Sequence, residues 1–93
     1  MIITAYDISS DRVRTRFSKF LSKFGRKLQY SIYEIRNSER IKQNIQKEIH
    51  MRYQKQFTGG DSIVIFDLCE RCKKNVNRYG FACNDEKDVV IFE

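Results

Sequence analysis

Two apolar repeats with helical spacing most restrict the folds open to this chain. The first places large apolar side chains on one face of residues 13–24, namely Val13, Phe17, Phe20, Leu21 and Phe24. The second places one side chain every four residues, at Ile41, Ile45, Ile49 and Tyr53. A helix with one apolar stripe must bury that stripe against another element. We therefore expect two helices packed on a common surface.

Residues that commonly begin and end helices flank both repeats. Ser9 or Ser10 is expected to cap the first helix, and Asn37 or Ser38 the second. Short hydroxyl and amide side chains suit this position because they accept hydrogen bonds from the first free backbone N–H groups. Gly25 is expected to stop the first helix.

Short apolar runs of the kind found in strands separate and flank the helices. They cover residues 1–8, 27–35, 62–69, 76–79 and 88–93. The run at 27–35 is expected to form one or two strands, and no turn signal splits it. Strands and helices in this order predict an α+β fold. The arrangement that fits best is a ferredoxin-like βαββαβ sandwich with an antiparallel sheet and an extra C-terminal strand.

The length of 93 residues predicts one small domain. A chain of this size buries only roughly 60–65% of its unfolded surface, so self-association is expected. We expect residues 1–80 to form the core and residues 81–93 a C-terminal segment. That segment ends in an apolar run, Val89, Val90, Ile91 and Phe92. The run either pairs with the sheet edge of a partner subunit or forms an edge strand of its own sheet.

Basic residues concentrate on the first predicted helix. The chain has 18 Lys and Arg against 12 Asp and Glu, which gives a net charge of +6. Seven of the cations fall between positions 12 and 27, namely Arg12, Arg14, Arg16, Lys19, Lys23, Arg26 and Lys27, and Asp11 is the only acid close to them. Like charges at helical spacing repel each other. Four of them, Arg12, Arg16, Lys19 and Lys23, form a basic stripe on one face of the helix. This stripe, with the three cations near it, either binds the phosphate backbone of a nucleic acid or is a solvated face.

Asp7 closes the first predicted strand just before a helix begins. Its carboxylate either accepts hydrogen bonds from the amides at the helix start or helps to hold a hard cation, Mg²⁺ or Mn²⁺. One carboxylate alone is a poor site for such an ion. Two Asp7 side chains related by a dimer axis, together with waters and a phosphate, would form an adequate one.

The three cysteines do not form a zinc-binding pattern. Cys69 and Cys72 make one CxxC pair, Cys83 stands alone, and His50 is the only histidine. A structural zinc site requires four ligands, and there is no second CxxC pair to complete one. We interpret the cysteines as reduced thiols or packing residues.

Several classes of function lack their signals in this sequence. No run of about 18 apolar residues is present to span a membrane, and the odd cysteine number without a secretory signal indicates the cytoplasm. Glycine-rich phosphate loops, Ser/His/Asp orders and HExxH motifs are missing. Any hydrolysis would therefore depend on a metal at Asp7.

Taken together, the segments from Tyr6 to Glu34 resemble the CRISPR-associated protein 2 family. Its members have an apolar strand ending in Tyr-Asp, a helix with basic residues, a glycine and then Gln-x-Ser-hydrophobic-aromatic-Glu. The matching residues here are Tyr6-Asp7-Ile8, Arg14, Phe24-Gly25 and Gln29-Tyr30-Ser31-Ile32-Tyr33-Glu34. The apolar strand after Asp61-Ser62, Gly80 and the terminal strand also fit, so the likeness covers nearly the whole chain.

The resemblance implies a ferredoxin-like homodimer whose C-terminal strands dock on the other subunit. It implies a role in CRISPR adaptation (spacer acquisition) and antiviral defence, in which the dimer holds duplex DNA and bridges the CRISPR-associated integrase. The family is also described as metal-dependent endonucleases acting on RNA or DNA, with one Mg²⁺ or Mn²⁺ shared by two copies of Asp7. A metabolite-binding regulatory domain is a third interpretation, for which only Thr58-Gly59-Gly60 offers a ligand loop.

Overall fold

The computed structural model describes residues 1–77 and residue 79. Its regular elements, in chain order, are β1 (Ile2–Asp7), α1 (Asp11–Ser22), β2 (Gly25–Gln29), β3 (Ile32–Ile35), α2 (Glu39–Glu48), β4 (Ser62–Asp67) and α3 (Glu70–Lys73). A π-helical turn, Ile49–Tyr53, and a 3-10 turn, Gln54–Gln56, continue the chain beyond α2. These elements confirm the predicted alternation of strands and helices.

The four strands form one antiparallel sheet in the order β2-β3-β1-β4. β1 lies inside this sheet and pairs antiparallel with β3 on one side and β4 on the other. The order is that of a ferredoxin-like βαββαβ fold, so the predicted fold class is confirmed.

A two-residue turn, Tyr30–Ser31, divides the run that sequence patterns left undivided. Gln29 at the end of β2 pairs with Ile32 at the start of β3. Ser31 takes a positive φ of 69°, a conformation that glycine and asparagine signal more often than serine. The hairpin therefore carries no ordinary turn signature.

The predicted end of the first helix is wrong. α1 ends at Ser22 with Lys23 as its C-cap, and Gly25 is the first residue of β2 rather than a helix stop. A Cβ on Gly25 would lie 2.0 Å from the Glu34 carbonyl oxygen. Glycine is needed here because β2 approaches the β3 backbone closely.

The core lies between the helices and the even-numbered face of β1. Phe17 and Leu21 on α1 are fully buried, and Tyr6 meets Phe17 edge-on with ring centroids 5.2 Å apart. Tyr53 on the π-helical turn meets Phe17 at 4.9 Å. The buried members of this cluster are Ile2, Tyr6, Ile8, Val13, Phe17, Leu21, Tyr33, Ile35, Ile45 and Tyr53. Both predicted apolar stripes therefore contribute to one core.

The opposite face of the sheet is apolar and exposed at β4. Ile63 and Ile65 are half-buried against the core, whereas Val64 and Phe66 point the other way and are 45% and 50% exposed. Phe66 lies opposite Ile3 of β1 in the antiparallel register. The helices thus cover one face of the sheet and leave Val64 and Phe66 in solvent.

The chain after β4 differs from the sequence prediction. The connection after β4 contains α3, and Val76, Asn77 and Tyr79 lie outside any regular element, so the strand predicted at 76–79 is wrong for these residues. The predicted terminal strand 88–93 and the 81–93 segment lie outside the described residues. Among the described residues, no helix has the length and apolar character needed to cross a membrane.

Candidate nucleic-acid interface

Asp61, at the start of β4, fastens the loop between β1 and α1. Its Oδ1 accepts hydrogen bonds from the Ser9 backbone N–H at 2.9 Å and the Ser9 hydroxyl at 3.0 Å. Its Oδ2 accepts the Thr58 backbone N–H at 2.9 Å. Both backbone donors hold the pKa of Asp61 below its ordinary value. Sequence analysis missed this role, because the contact joins residues 52 positions apart.

Asp7 is the last residue of β1 and lies opposite Ser62, the residue after Asp61; its side chain is exposed. The helix-start amide of Val13 is taken by the Ser10 hydroxyl, at 3.2 Å, and the Ser9 amide by Asp61. The expectation that Asp7 accepts these amides is therefore wrong. Its carboxylate makes no hydrogen bond or ion pair to the described residues, which leaves it free for a ligand.

Asp7 fits a hard cation only as half of a site. A carboxylate oxygen is a preferred ligand of Mg²⁺ and Mn²⁺, which require several oxygen ligands. No group of three or more His, Cys, Asp or Glu side chains converges among the described residues. A cation at Asp7 would therefore need a second carboxylate from another chain, or water and phosphate oxygens.

The predicted basic stripe is present on the exposed face of α1. Arg12, Arg16, Lys19 and Lys23 are all exposed, and no carboxylate of the described residues pairs with them. Lys23 keeps helical backbone angles at the C-cap. A helix rises 1.5 Å per residue, so the row extends about 16 Å from Arg12 to Lys23.

Arg14 has a structural role that separates it from the stripe. It is half-buried and donates to the Ile8 carbonyl oxygen at 2.9 Å while pairing with Asp11. The Asp11 hydrogen bond raises the pKa of the Arg14 guanidinium. Arg14 therefore holds the β1–α1 loop in place from the helix side, as Asp61 does from the side of β4.

The two cations beyond α1 also have partners. Arg26 pairs with Glu34 across the β2–β3 hairpin at 3.3 Å. The Lys27 ammonium lies 6.0 Å from the centroid of the Tyr30 ring, within cation–π range. These two residues therefore lie near the stripe with part of their charge already engaged.

A shallow recess of about 380 Å³ lies between α1 and the Tyr30–Ser31 turn. It is lined by Tyr6, Arg14, Thr15, Ser18, Lys19, Lys27 and Tyr30. Tyr30 is 73% exposed at its rim. Hydroxyl and cationic groups around an exposed aromatic ring suit a sugar-phosphate chain with an adjacent base. Sequence analysis placed Tyr30 only as a strand residue, because its turn position was not visible.

The cysteines lie away from these residues. Cys69 and Cys72 are exposed free thiols, which agrees with their interpretation as thiols and not with a packing role. His50 is exposed on the π-helical turn. Cys83 and the predicted dimer contacts Val89, Val90, Ile91 and Phe92 fall outside the described residues.

Comparison with known proteins identifies relatives over most of the chain. The family model for CRISPR associated protein Cas2 matches residues 1–76. A CRISPR-associated endoribonuclease Cas2 of Methanospirillum hungatei is 29% identical over 90 residues, which cover 97% of this chain and 97% of that protein. Another, of Synechocystis sp., is 29% identical over 80 residues, which cover 86% of this chain and 84% of that protein.

Solved structures agree with the fold. The crystal structure of Streptococcus pyogenes Cas2 superposes with a TM-score of 0.68 at 17% identity, covering 85% of this chain and 98% of that one. A hypothetical protein of Thermus thermophilus superposes with a TM-score of 0.60 at 25% identity, covering 73% of this chain and 79% of that one. The first likeness is one of fold alone.

Proposed function

Because this chain belongs to the CRISPR-associated Cas2 family, we propose that it serves CRISPR adaptation in the cytoplasm as a dimer that binds duplex DNA and bridges the CRISPR-associated integrase. The observation that carries DNA binding is the exposed row of Arg12, Arg16, Lys19 and Lys23, which has no carboxylate partner among the described residues. Its charge is available to an external polyanion.

The length of the row suits a duplex. About 16 Å of helix matches roughly five base-pair steps at about 3.4 Å per step along one strand. Contacts of this kind reach phosphate oxygens and carry no base specificity. A subunit that handles spacers of any sequence requires this property.

Dimerisation is supported by the exposed apolar face of the sheet. Val64 and Phe66 lie half in solvent at 45% and 50% exposure, and neighbouring exposed apolar side chains on a small domain indicate a protein contact. A second subunit on this face would present a second copy of the row. The C-terminal residues Val89–Phe92 remain a predicted contact with the partner subunit.

The DNA-binding proposal is tested by a triple variant, Arg12→Ala, Arg16→Ala and Lys19→Ala. We expect the Kd for a short duplex at about 0.1 M salt to rise at least about tenfold. The slope of log Kd against log salt should fall by up to about 5 for a dimer that loses six phosphate contacts. Arg14 is left intact because it holds the β1–α1 loop.

A variant of equal charge change provides the control. Arg40, Lys47 and Lys55 are exposed on α2 and the turn after it, and their replacement by Ala lowers the net charge by the same amount. This control should keep most of the duplex affinity and salt slope. Equal losses in the two variants would reduce the effect to net charge and contradict an interface on α1.

A second candidate function is a metal-dependent endoribonuclease. It is favoured by the free carboxylate of Asp7 and by the names of the two curated relatives. In this proposal Asp7 from each of two subunits would hold one Mg²⁺ or Mn²⁺ ion, which would lower the pKa of a bound water and polarise a phosphoryl oxygen. The basic row would position the RNA backbone beside it.

Asp7→Asn separates the two functions. Because the Asp7 carboxylate makes no hydrogen bond or ion pair to the described residues, the variant should fold and bind duplex DNA like the wild type. For the adaptation subunit, spacer integration with purified integrase continues in the variant. For the nuclease, cleavage that requires a divalent ion disappears in the variant. Cleavage that survives the substitution would assign the activity to another site or protein.

A further inference from the structure

Cys69 and Cys72 bring two thiols together in the turn that follows β4. Both side chains are exposed, and neither is in a disulfide. The Lys73 backbone N–H donates to the Cys69 carbonyl oxygen at 2.9 Å, which closes the turn between them. Cys69 is the N-cap residue of α3, and Cys72 lies three residues further on in the same turn. The two thiols therefore lie at neighbouring positions of one helical turn.

The pair lies at the far end of the sheet from Asp7. In the β1–β4 register Asp7 lies opposite Ser62, whereas Ile2 lies opposite Asp67. The Met1 amino group donates to the Leu68 carbonyl oxygen at 2.8 Å and fixes the strand end just before Cys69. Five strand residues separate the two ends by about 17 Å. The dithiol therefore does not belong to the nucleic-acid interface.

We propose that Cys69 and Cys72 form a reversible dithiol–disulfide site that exchanges with low-molecular-weight disulfides such as oxidised glutathione. The Cys69 thiolate attacks one sulfur of that disulfide, forms a mixed disulfide and releases one glutathione thiolate, which takes up a proton. The Cys72 sulfur then attacks Cys69, loses its proton and expels the second glutathione. Two protein thiols are oxidised and one disulfide is reduced to two thiols.

The surroundings give the two cysteines different roles. The nearby Cys72 amide and thiol hold the pKa of Cys69 below its ordinary value, so more of it is thiolate at neutral pH. The same contact raises the pKa of Cys72, which keeps this thiol protonated until the mixed disulfide has formed. Residues three apart on a helical turn have Cβ atoms about 5–6 Å apart, so a disulfide between them, with Cβ atoms about 3.5–4.5 Å apart, requires a small movement of this short turn.

The test uses the full chain, reduced and then equilibrated at neutral pH in buffers with rising ratios of oxidised to reduced glutathione. Remaining thiols are trapped by alkylation, and disulfides are located by peptide mass spectrometry. The matched variants are C83S alone and C83S combined with C69S or with C72S, so that two thiols remain in the first and one in each of the others. Serine at 72 keeps a hydrogen-bond donor beside Cys69.

We expect C83S to lose the mass of two hydrogen atoms in oxidising buffer and to regain it in reducing buffer. In the C83S background, C72S should stop at one glutathione on Cys69, and C69S should acquire glutathione at least tenfold more slowly than C72S. Three results would overturn the proposal: C83S remaining reduced throughout, C83S stopping at mixed disulfides, or equal rates in C69S and C72S. None of these readouts depends on nucleic-acid binding, so the inference stands or fails apart from the proposed function.

Discussion

α1 and α2 differ in what their positive charges face. Both begin at a serine cap, Ser10 and Ser38, and both cover the same face of the sheet. On α2, Lys42 pairs with Asp67 at 2.8 Å, and Glu39 and Glu48 stand among its other cations. On the exposed face of α1, the cations have no such partners among the described residues. Charge without a partner, rather than charge itself, distinguishes the candidate interface.

The two helices also differ in how firmly they are anchored. α1 buries three side chains, Val13, Phe17 and Leu21, whereas α2 buries Ile45 and leaves Ile41 only partly covered. A helix fixed in this way holds its exposed groups at constant spacing, which favours contacts with a regular phosphate backbone. The helix that carries the candidate interface is therefore also the main helical contributor to the core.

The largest expected effect tests this difference in anchoring. Phe17→Ala should lower the free energy of unfolding by about 4 kcal/mol, because it leaves a cavity among aromatic rings. Ile41→Ala on α2 should lower it by about 1 to 2 kcal/mol, since less area leaves water there. Urea unfolding followed by circular dichroism, at one protein concentration for all variants, measures both values. Equal losses would contradict the unequal anchoring of the helices.

A smaller effect is expected where each helix connects to the next strand. Gly25→Ala should cost about 3 kcal/mol of stability, because the new Cβ meets backbone atoms of β3 that cannot move aside easily. Gly60, on the connection after α2, has nothing within 4 Å of an added Cβ. Gly60→Ala should therefore leave the urea midpoint nearly unchanged. A stable Gly25→Ala variant would show that β2 can move away from β3.

The sequence predicts the repeated parts of this fold well. Apolar spacing placed the two helices and the first and fourth strands, and Ser10 and Ser38 act as caps, because these features depend on neighbours within a few residues. The Tyr30–Ser31 turn was not predictable, since Ser31 adopts its positive φ without a glycine or asparagine signal. The role of Gly25 was misread, because its reason lies in the backbone of another strand.

The candidate site was predictable in composition but not in detail. The exposed row on α1 follows from residue spacing alone. The Arg14 contacts are local, to Asp11 at i,i+3 and to the Ile8 carbonyl oxygen, and grouping the cations by charge alone overlooked them. Arg26 pairs with Glu34 because the chain folds back in the β2–β3 hairpin, which the sequence did not show. Asp61 was missed for the same reason, because its donors come from two separate loops.

Two carboxylates, one that contacts the loop before α1 and one that pairs with α2, allow the two helices to be compared by their dependence on pH. Asp61 fastens the loop before α1, and Asp67 pairs with Lys42 of α2. Hydrogen bonds hold both pKa values below the ordinary 3.8. A depressed pKa in the folded state adds stability that is complete above the unfolded value and is lost as pH falls through the folded one. Both contributions should therefore disappear in acid, below about pH 4.

The two carboxylates should nevertheless differ in size of effect. Asp61 accepts backbone N–H groups on both oxygens, and asparagine has only one acceptor to replace them. Asp67 holds one flexible lysine at the surface, a contact that solvent and salt screen. Asp61→Asn should lower the urea midpoint more than Asp67→Asn at pH 6, and each difference from wild type should shrink as pH falls below 3.8. Added salt should reduce the Asp67 difference first; the opposite order would show that the α2 ion pair, rather than the loop clamp, is the stronger contact.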